Sequence, residues 1–375
     1  MAGIYIHIPF CRQACYYCDF HFSTSGRLRT EMITSIIAET ALRAHYLSNE
    51  PIETIYFGGG TPSLLTANEI QRILDTIQAK FNIVSSPEIT LEANPDDLHK
   101  TYLQDLKKLG VNRLSIGIQS FFEKDLKLLH RIHDRDQALN CVKDARDAGF
   151  DNLNLDLIYA MPHGTDAEWA ENLRQMMQLA PTHLSAYALT IEESTVFGRW
   201  YQKGKLRPVD EDKAADQLEM LMDVTAQHGY EHYEISNFCQ PGYESKHNSS
   251  YWLQKKYLGL GPGAHSYNGT ERHFNVSNNP KYVKQLSADL LACEGEKLTD
   301  NDRINEYLMT RLRTKWGIDL RRMGKDLHFD LMKNYGDYIN HLQLQGHLFI
   351  NEENITLTRS GKMIADEITE HLFQM

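Results

Sequence analysis

No apolar run in this chain of 375 residues approaches the length of a membrane span, and its start, Met1 to Phe10, has neither a basic opening nor a long apolar core. That pattern excludes a recognisable membrane helix or secretory leader and predicts a soluble, cytoplasmic protein. Positive charge is short as well: 39 Lys plus Arg stand against 50 Asp plus Glu, for a net charge of −11. A phosphate backbone is a poor partner for such a surface, so no nucleic acid is expected as ligand. Cysteine is sparse, six in all with three inside one stretch of eight residues, which is no disulfide framework and points to a reducing compartment. Cys141, Cys239 and Cys293 stand far apart and read as inert. Low-complexity tracts are missing, and so are internal repeats beyond an alternation of strand and helix patterns. What remains is a chain long enough, and at 42% hydrophobic apolar enough, for one large domain and one small one.

The densest chemistry lies at Cys11, Cys15 and Cys18, which follow the apolar segment Ile4 to Phe10. Cysteine sulfurs are the usual soft ligands of iron–sulfur clusters, and three in so short a stretch suit one cluster. Two plainer readings stand beside it: a zinc site completed by His7 or His21, and three unligated core thiols. Structural zinc usually draws its ligands as two separated pairs rather than one cramped triplet. The spacing Cys-x-x-x-Cys-x-x-Cys, with the aromatic Tyr17 before the last cysteine, resembles the signature of radical S-adenosylmethionine (SAM) proteins. The resemblance implies a [4Fe-4S] cluster with one iron left open for SAM.

Through roughly the first 230 residues, β-branched runs alternate with helical patterns, the signature of βα units around a parallel sheet. The strands are expected at Ile4–Ile8, Glu53–Phe57, Glu88–Ala93, Arg113–Ile118, Asn152–Ile158 and Leu184–Ala188. Helices are expected near 31–47, 66–80, 99–109, 135–148 and 166–178, with Thr66 and Asp166 as N-caps. Six such units predict an incomplete βα barrel, two short of a closed one. Within the strands, Ile89, Leu91 and Ala93 alternate with Thr90, Glu92 and Asn94. Leu114, Ile116 and Ile118 alternate likewise with Ser115, Gly117 and Gln119, and Leu153, Leu155 and Leu157 with Asn154 and Asp156. If the aliphatic faces pack under outer helices, Glu92, Gln119 and Asp156 point inward near the rim where such folds keep their sites. Each alone could be a structural polar residue; three in register favour a ligand. Gly58-Gly59-Gly60-Thr61 follows the second strand directly and lets backbone approach a bound molecule. It matches neither the dinucleotide pattern nor the phosphate-binding loop.

Beyond a helical stretch from Asp210 to His228 comes Tyr233-Glu-Ile-Ser-Asn237, and then Lys246-His-Asn-Ser-Ser-Tyr-Trp252. In a helix His247 and Tyr251 share a face, with Trp252 beside them. An imidazole can ligate haem iron and aromatic rings can lie against a macrocycle, although composition alone favours a helix packed on the barrel with His247 merely hydrogen-bonded. Leu258-Gly-Leu-Gly-Pro-Gly-Ala-His265 reads as a close-packed turn. From about residue 297 helices at 302–316, 320–327 and 333–345 precede two short strands, 348–350 and 355–358, and a last helix to Phe373. This order resembles a winged-helix module, with no dense basic stripe on its third helix. The expected division is 1–230 for the barrel, 231–296 for a connecting region, and 297–375 for the C-terminal module.

Taken together, Tyr5-Ile-His-Ile-Pro-Phe-Cys11 through Cys18, Gly58-Gly-Gly-Thr-Pro62, Glu92-Ala-Asn-Pro95, Gly117-Ile-Gln-Ser120, His130-Arg131, Asp156-Leu-Ile-Tyr159 and Gly261-Pro-Gly-Ala-His-Ser266 resemble the radical SAM proteins related to oxygen-independent coproporphyrinogen III oxidase. The resemblance implies Cys11, Cys15 and Cys18 as cluster ligands and Tyr5, Gly60, Thr61, Pro62, Glu92, Gln119, Arg131 and Asp156 as the SAM pocket. The decarboxylating enzymes of that family carry a further cysteine two residues after the last ligand, where this chain has Phe20. The HemW-type haem chaperones have phenylalanine there and a His-Asn-x-x-Tyr-Trp motif, present here as His247, Asn248, Tyr251 and Trp252. The implied role is a haem carrier without catalytic residues, which hands haem to acceptors such as membrane respiratory enzymes. The cluster and SAM site would be retained for transfer or for a homodimer. The alternative is a decarboxylase acting on a porphyrinogen propionate.

Overall fold

The computed structural model describes residues 1–207 and 210–374. Six strands, β1 (Ala2–Ile8), β2 (Ile52–Gly59), β3 (Ile83–Ala93), β4 (Arg113–Gln119), β5 (Asn152–Tyr159) and β6 (His183–Ala188), lie side by side in chain order and all parallel. Between them run α1 (Arg29–Leu42), α2 (Ala67–Lys80), α3 (Lys100–Lys108), α4 (Glu123–Leu129), α5 (Arg135–Asp147) and α6 (Asp166–Leu179). The alternation seen in the sequence sorts the strand faces: Leu91, Leu114, Ile116, Leu153 and Leu155 are fully buried in one continuous core with Ile70, Ile73 and Ile77 of α2. The polar residues between them are left for the barrel interior.

Local chemistry starts the helices. Thr66 caps α2 through a reciprocal box with Glu69, as its position predicts. The cap of α6 is Thr165, not Asp166: the Thr165 hydroxyl accepts from the Glu168 amide and the Glu168 carboxylate accepts from the Thr165 amide. Asp166 is the first helical residue and accepts instead from Gln217 Nε2 at 2.9 Å. Helix α1 stops at Leu42, short of the expected 47, because Arg43 turns inward to Glu39 and to the Gly259 carbonyl.

The second half extends the sheet rather than forming a separate connecting piece. After α7 (Val196–Gln202) and α8 (Glu211–Gln227), β7 (Glu231–Glu234) and β8 (Asn237–Cys239) form a hairpin whose β8 pairs antiparallel with β6. The short helix α9 (Lys246–Trp252) follows, and β9 (Tyr257–Leu260) then pairs parallel with β1 at the opposite edge. Antiparallel β10 (His265–Tyr267), β11 (Glu271–Asn275) and, after α10 (Asn279–Leu286), β12 (Cys293–Lys297) complete a sheet of twelve strands. The glycine-rich turn is close-packed as expected: a Cβ on Gly261 would collide with the His7 carbonyl, which seats the turn against the end of β1.

The C-terminal part has its own core, from Ile304 to Leu372. Its order is α11 (Asp300–Leu312), β13 (Ile318–Asp319), α12 (Leu320–Asp326), α13 (Leu331–Leu344), β14 (Leu348–Ile350) and β15 (Asn354–Leu357), with β15 between the other two strands. This is the winged-helix order, with a first strand too short to read from sequence. The expected single last helix is two, α14 (Arg359–Met363) and α15 (Ala365–His371), broken at Ile364, whose backbone is not helical.

Candidate functional site

At the C-terminal rim of the parallel strands, the loop holding the three cysteines is fastened at both ends. Cys11 N donates to Ser23 O and Ser23 N to Pro9 O. Tyr16 N donates to Leu129 O, and the Tyr16 ring stacks on His130 with centroids 4.1 Å apart. Gln13 Nε2 reaches His130 O at 2.8 Å, and His130 Nδ1 lies 2.8 Å from Ala14 O. Arg12 ties the loop to Asp96 and Asp97 across 3.0 and 2.6 Å.

The three cysteines are unpaired and partly exposed, and two of their sulfurs receive donors: Thr61 Oγ1 at 3.3 Å from Cys11 Sγ, and Arg131 Nη1 at 3.6 Å from Cys15 Sγ. Burial pushes the thiol of Cys11 up to about 11 and that of Cys18 to about 12, so their thiolates need a counter-charge. Among the described residues, no three His, Cys, Asp or Glu side chains converge closely enough to hold a metal ion. The structure places the three thiols on one fastened loop and does not bring their sulfurs together at one point. A polynuclear cluster spaces its ligands more widely than a single zinc ion does, and this donor set fits it.

The glycine turn after β2 packs beneath that loop. Gly60 N donates to Ile8 O at 2.9 Å, and a Cβ at Gly60 would come within 2.7 Å of Phe10 O. Only glycine allows this approach, and it brings Thr61 to Cys11. Beside the turn, Glu92 accepts from Tyr56 OH at 2.8 Å and from Gly59 N at 3.2 Å. Asp156 accepts from Asn154 Nδ2 at 2.7 Å. Burial is the main reason that Glu92 is raised to about 7 and Asp156 to about 6, and the Asp156 carboxylate adds to the rise at Glu92. A cationic ligand beside them would therefore favour their carboxylate forms near neutrality, with the protons released to water. Arg131 Nη2 donates to Asn94 Oδ1 at 2.6 Å and to Gly117 O at 2.9 Å. Gln119, in the left-handed region, folds back over Gly117, where a Cβ would lie 2.6 Å from its Nε2. Tyr5 lies below, its hydroxyl 3.2 Å from His7 Nδ1.

The residues expected near His247 gather elsewhere, at the opposite end of the barrel. Helix α9 is held there by Glu88, which accepts from the amides of Lys246 and His247 at 3.2 and 3.0 Å. The His247 side chain enters the floor between β1 and β2. Its Nδ1 lies 2.7 Å from Thr54 Oγ1 and its Nε2 2.8 Å from Tyr251 OH, while its ring stacks on Tyr56 with centroids 4.9 Å apart. It is 1% exposed, and burial pushes it down to about 3. Trp252 faces the C-terminal part, with the Arg313 guanidinium 5.8 Å from its ring centre, and Asn248 is half-buried.

Sequence reasoning missed Arg12, Gln13 and Tyr16, whose partners lie some eighty to a hundred and twenty positions away, and Thr54 and Glu88, which hold His247 and α9. Nothing in their local pattern sets them apart. His265 is exposed at the start of β10.

Fold and rim together define a radical SAM protein. The Radical SAM superfamily profile matches residues 5–176, and the HemN C-terminal domain profile matches residues 298–364. The fold is similar to that of coproporphyrinogen III oxidase (HemN) from Escherichia coli, with a TM-score of 0.85 at 23% identity over 100% of this chain and 90% of that one. The chain is 36% identical to the heme chaperone HemW of Lactococcus lactis over 98% of its own length and 96% of the relative's. It is 33% identical to HemW of Bacillus subtilis, with 98% of both chains covered. The chain belongs to the HemW heme chaperone family.

Proposed function

We propose that this protein is a haem carrier that binds haem and passes it to acceptor haemoproteins, such as membrane respiratory enzymes, and that it has no coproporphyrinogen oxidase activity. The observation that carries the reading is the kinship to HemW chaperones along almost the entire chain. Phe20 at the position of the decarboxylases' extra cysteine, and His247, Asn248, Tyr251 and Trp252 on one helix, support it. Cys11, Cys15 and Cys18 would hold the [4Fe-4S] cluster, and Tyr5, Gly60, Thr61, Pro62, Glu92, Gln119, Arg131 and Asp156 the SAM molecule. When bound, the cluster supplies an iron free of protein ligands and a reducing electron. The protein's own part is to fasten the loop, direct Thr61 and Arg131 at two sulfurs, and neutralise a cationic ligand with Glu92 and Asp156. The chain divides into the twelve-stranded body through residue 297 and the C-terminal module after it, it works in the cytoplasm, and its cluster and SAM site serve transfer or a homodimer.

His247 is the iron ligand in this reading, and its burial sets a condition. Both ring nitrogens are occupied and the ring is sealed in the floor, so α9 must leave the barrel before the imidazole can meet iron. Haem titration of the purified protein against His247→Ala tests this: loss of the Soret shift and of one-to-one binding is expected, and an unchanged spectrum and stoichiometry would remove the histidine. Anaerobic incubation with coproporphyrinogen III, SAM and a reductant tests the alternative, because a divinyl product would make the protein an enzyme.

A further inference from the structure

Arg113 opens β4, one step from the floor. It heads the largest fully buried side chains, at 1% exposed, yet Nε, Nη1 and Nη2 all lack a hydrogen-bond partner among the described residues. Thr90, its register neighbour on β3, is fully buried as well, and its Oγ1 is also unpartnered among the described residues. Both belong to the inward set of their strands, opposite the core residues Leu91 and Leu114. Four polar atoms of two adjacent side chains therefore face one part of the interior with nothing to bind.

The surroundings narrow what they could be for. Arg113's charge acts on Tyr56, Glu92, Asp156, His183, Tyr233 and His247, but none of these groups bonds it. His183 is engaged by Asn154 and Tyr233 at 2.6 and 2.7 Å, and Glu92 by Tyr56 and Gly59. A buried guanidinium left unpaired is a costly arrangement that an apolar side chain of similar size would avoid, so stability of the closed form does not account for it. Its planar fork of donors matches the two oxygens of a carboxylate. His247 stacks on Tyr56, which is the register neighbour of Thr90, so the helix that must leave for His247 to meet iron covers the same part of the floor.

We propose that Arg113, with Thr90 beside it, is the anchor for a carboxylate side chain of the cargo: when α9 leaves the floor, one propionate of haem pairs with the guanidinium while the iron is taken by His247. The anchor rests on the haem-carrier reading and adds to it a recognition element for the porphyrin's acidic edge. It also makes the vacated floor, not the SAM rim, the seat of the cargo.

The test compares haem with haem dimethyl ester, which keeps the iron and loses the carboxylates. Soret titrations of the full chain should show the wild type binding haem about tenfold or more tighter than the ester, the effect of one desolvated charged pair. Arg113→Met should bind both with the affinity the wild type shows for the ester, and Arg113→Lys should keep part of the difference. Arg113→Met should melt no lower than the wild type; if it does not fold, Arg113→Lys and Thr90→Val carry the comparison, each with a reduced haem-to-ester ratio. A ratio unchanged in these variants overturns the anchor. Absence of haem binding by the wild type would sink the carrier reading itself, and His247→Ala judges the iron ligand separately: if it leaves the spectrum unchanged while Arg113→Met abolishes the ratio, the histidine is wrong and the anchor stands.

Discussion

At the rim, Tyr5, Glu92, Arg131 and Asp156 stay half-buried, and burial raises the two carboxylates toward neutrality. At the floor, His247 is sealed, both of its nitrogens are occupied, and the helix that carries it is capped by Glu88. The same strands build both ends. Their C-terminal ends meet loops that can stand apart and leave room for a ligand, whereas their N-terminal ends are closed by a helix that arrives from more than a hundred and fifty residues downstream of the strand that caps it. A half-buried rim and a sealed floor thus share one barrel, and in the proposed reading an activity that needs both must open the second.

The largest effect should come from the rim. Cys15→Ala in anaerobically reconstituted protein should reduce iron to background and abolish the visible cluster absorbance, while haem stoichiometry at the floor stays at the wild-type value. A parallel loss of haem would join the two ends into one site. Next comes packing at the floor, where a Cβ on Gly3 would lie 2.7 Å from Thr54 Oγ1 and 3.2 Å from the His247 ring. Gly3→Ala should cost about 1–3 kcal/mol in urea unfolding, against about 0.5 kcal/mol or less for Gly26→Ala, which meets open space beyond the cysteine loop.

Electrostatics at the rim should be smaller. Glu92 and Asp156 have folded pKa values above their unfolded ones, so the folded state holds more protons and the stability they contribute is lost as pH rises through about 6 and 7. Melting of the cofactor-free protein should therefore fall from roughly pH 5 to roughly pH 7.5, and Glu92→Gln should flatten that slope by about 1–2 kcal/mol. An unchanged slope would mean that the rim is already as well satisfied as the floor. Smallest is Thr54→Val, which leaves His247 Nδ1 without its partner at 2.7 Å and should cost about 1 kcal/mol. Its sharper readout is faster amide exchange across residues 246–252; exchange as slow as in the wild type would argue that Thr54 does not hold the helix shut.

The rim was largely legible beforehand. Period-two alternation assigns Glu92, Gln119 and Asp156 to one face, and a glycine run directly after a strand marks a close approach, so residue spacing alone predicts which side chains share the interior. The floor was not. His247 and Tyr251 share a helix face by spacing, and they are hydrogen-bonded, but spacing carries no sign of Thr54 or Glu88, nor of which end of the barrel that helix would close. Short strands such as β8 and β10 carry too few residues for an alternation to emerge, which is why the sheet reads as six strands and folds as twelve. The misplaced cap at Asp166 has a similar cause: Thr165 and Asp166 are both good caps, and the choice falls to the one whose third neighbour, Glu168, can answer.

Order along the chain determined the parallel barrel, its polar interior and the cysteine loop, because each depends on periodicities and spacings within a few residues. The tertiary structure alone decided that His247 lies in the floor and that Arg113 has no hydrogen-bond partner among the described residues. Both facts depend on strands and a helix meeting across large separations in sequence, and the energy of a buried charge or imidazole is set by what surrounds it, not by its neighbours in the chain.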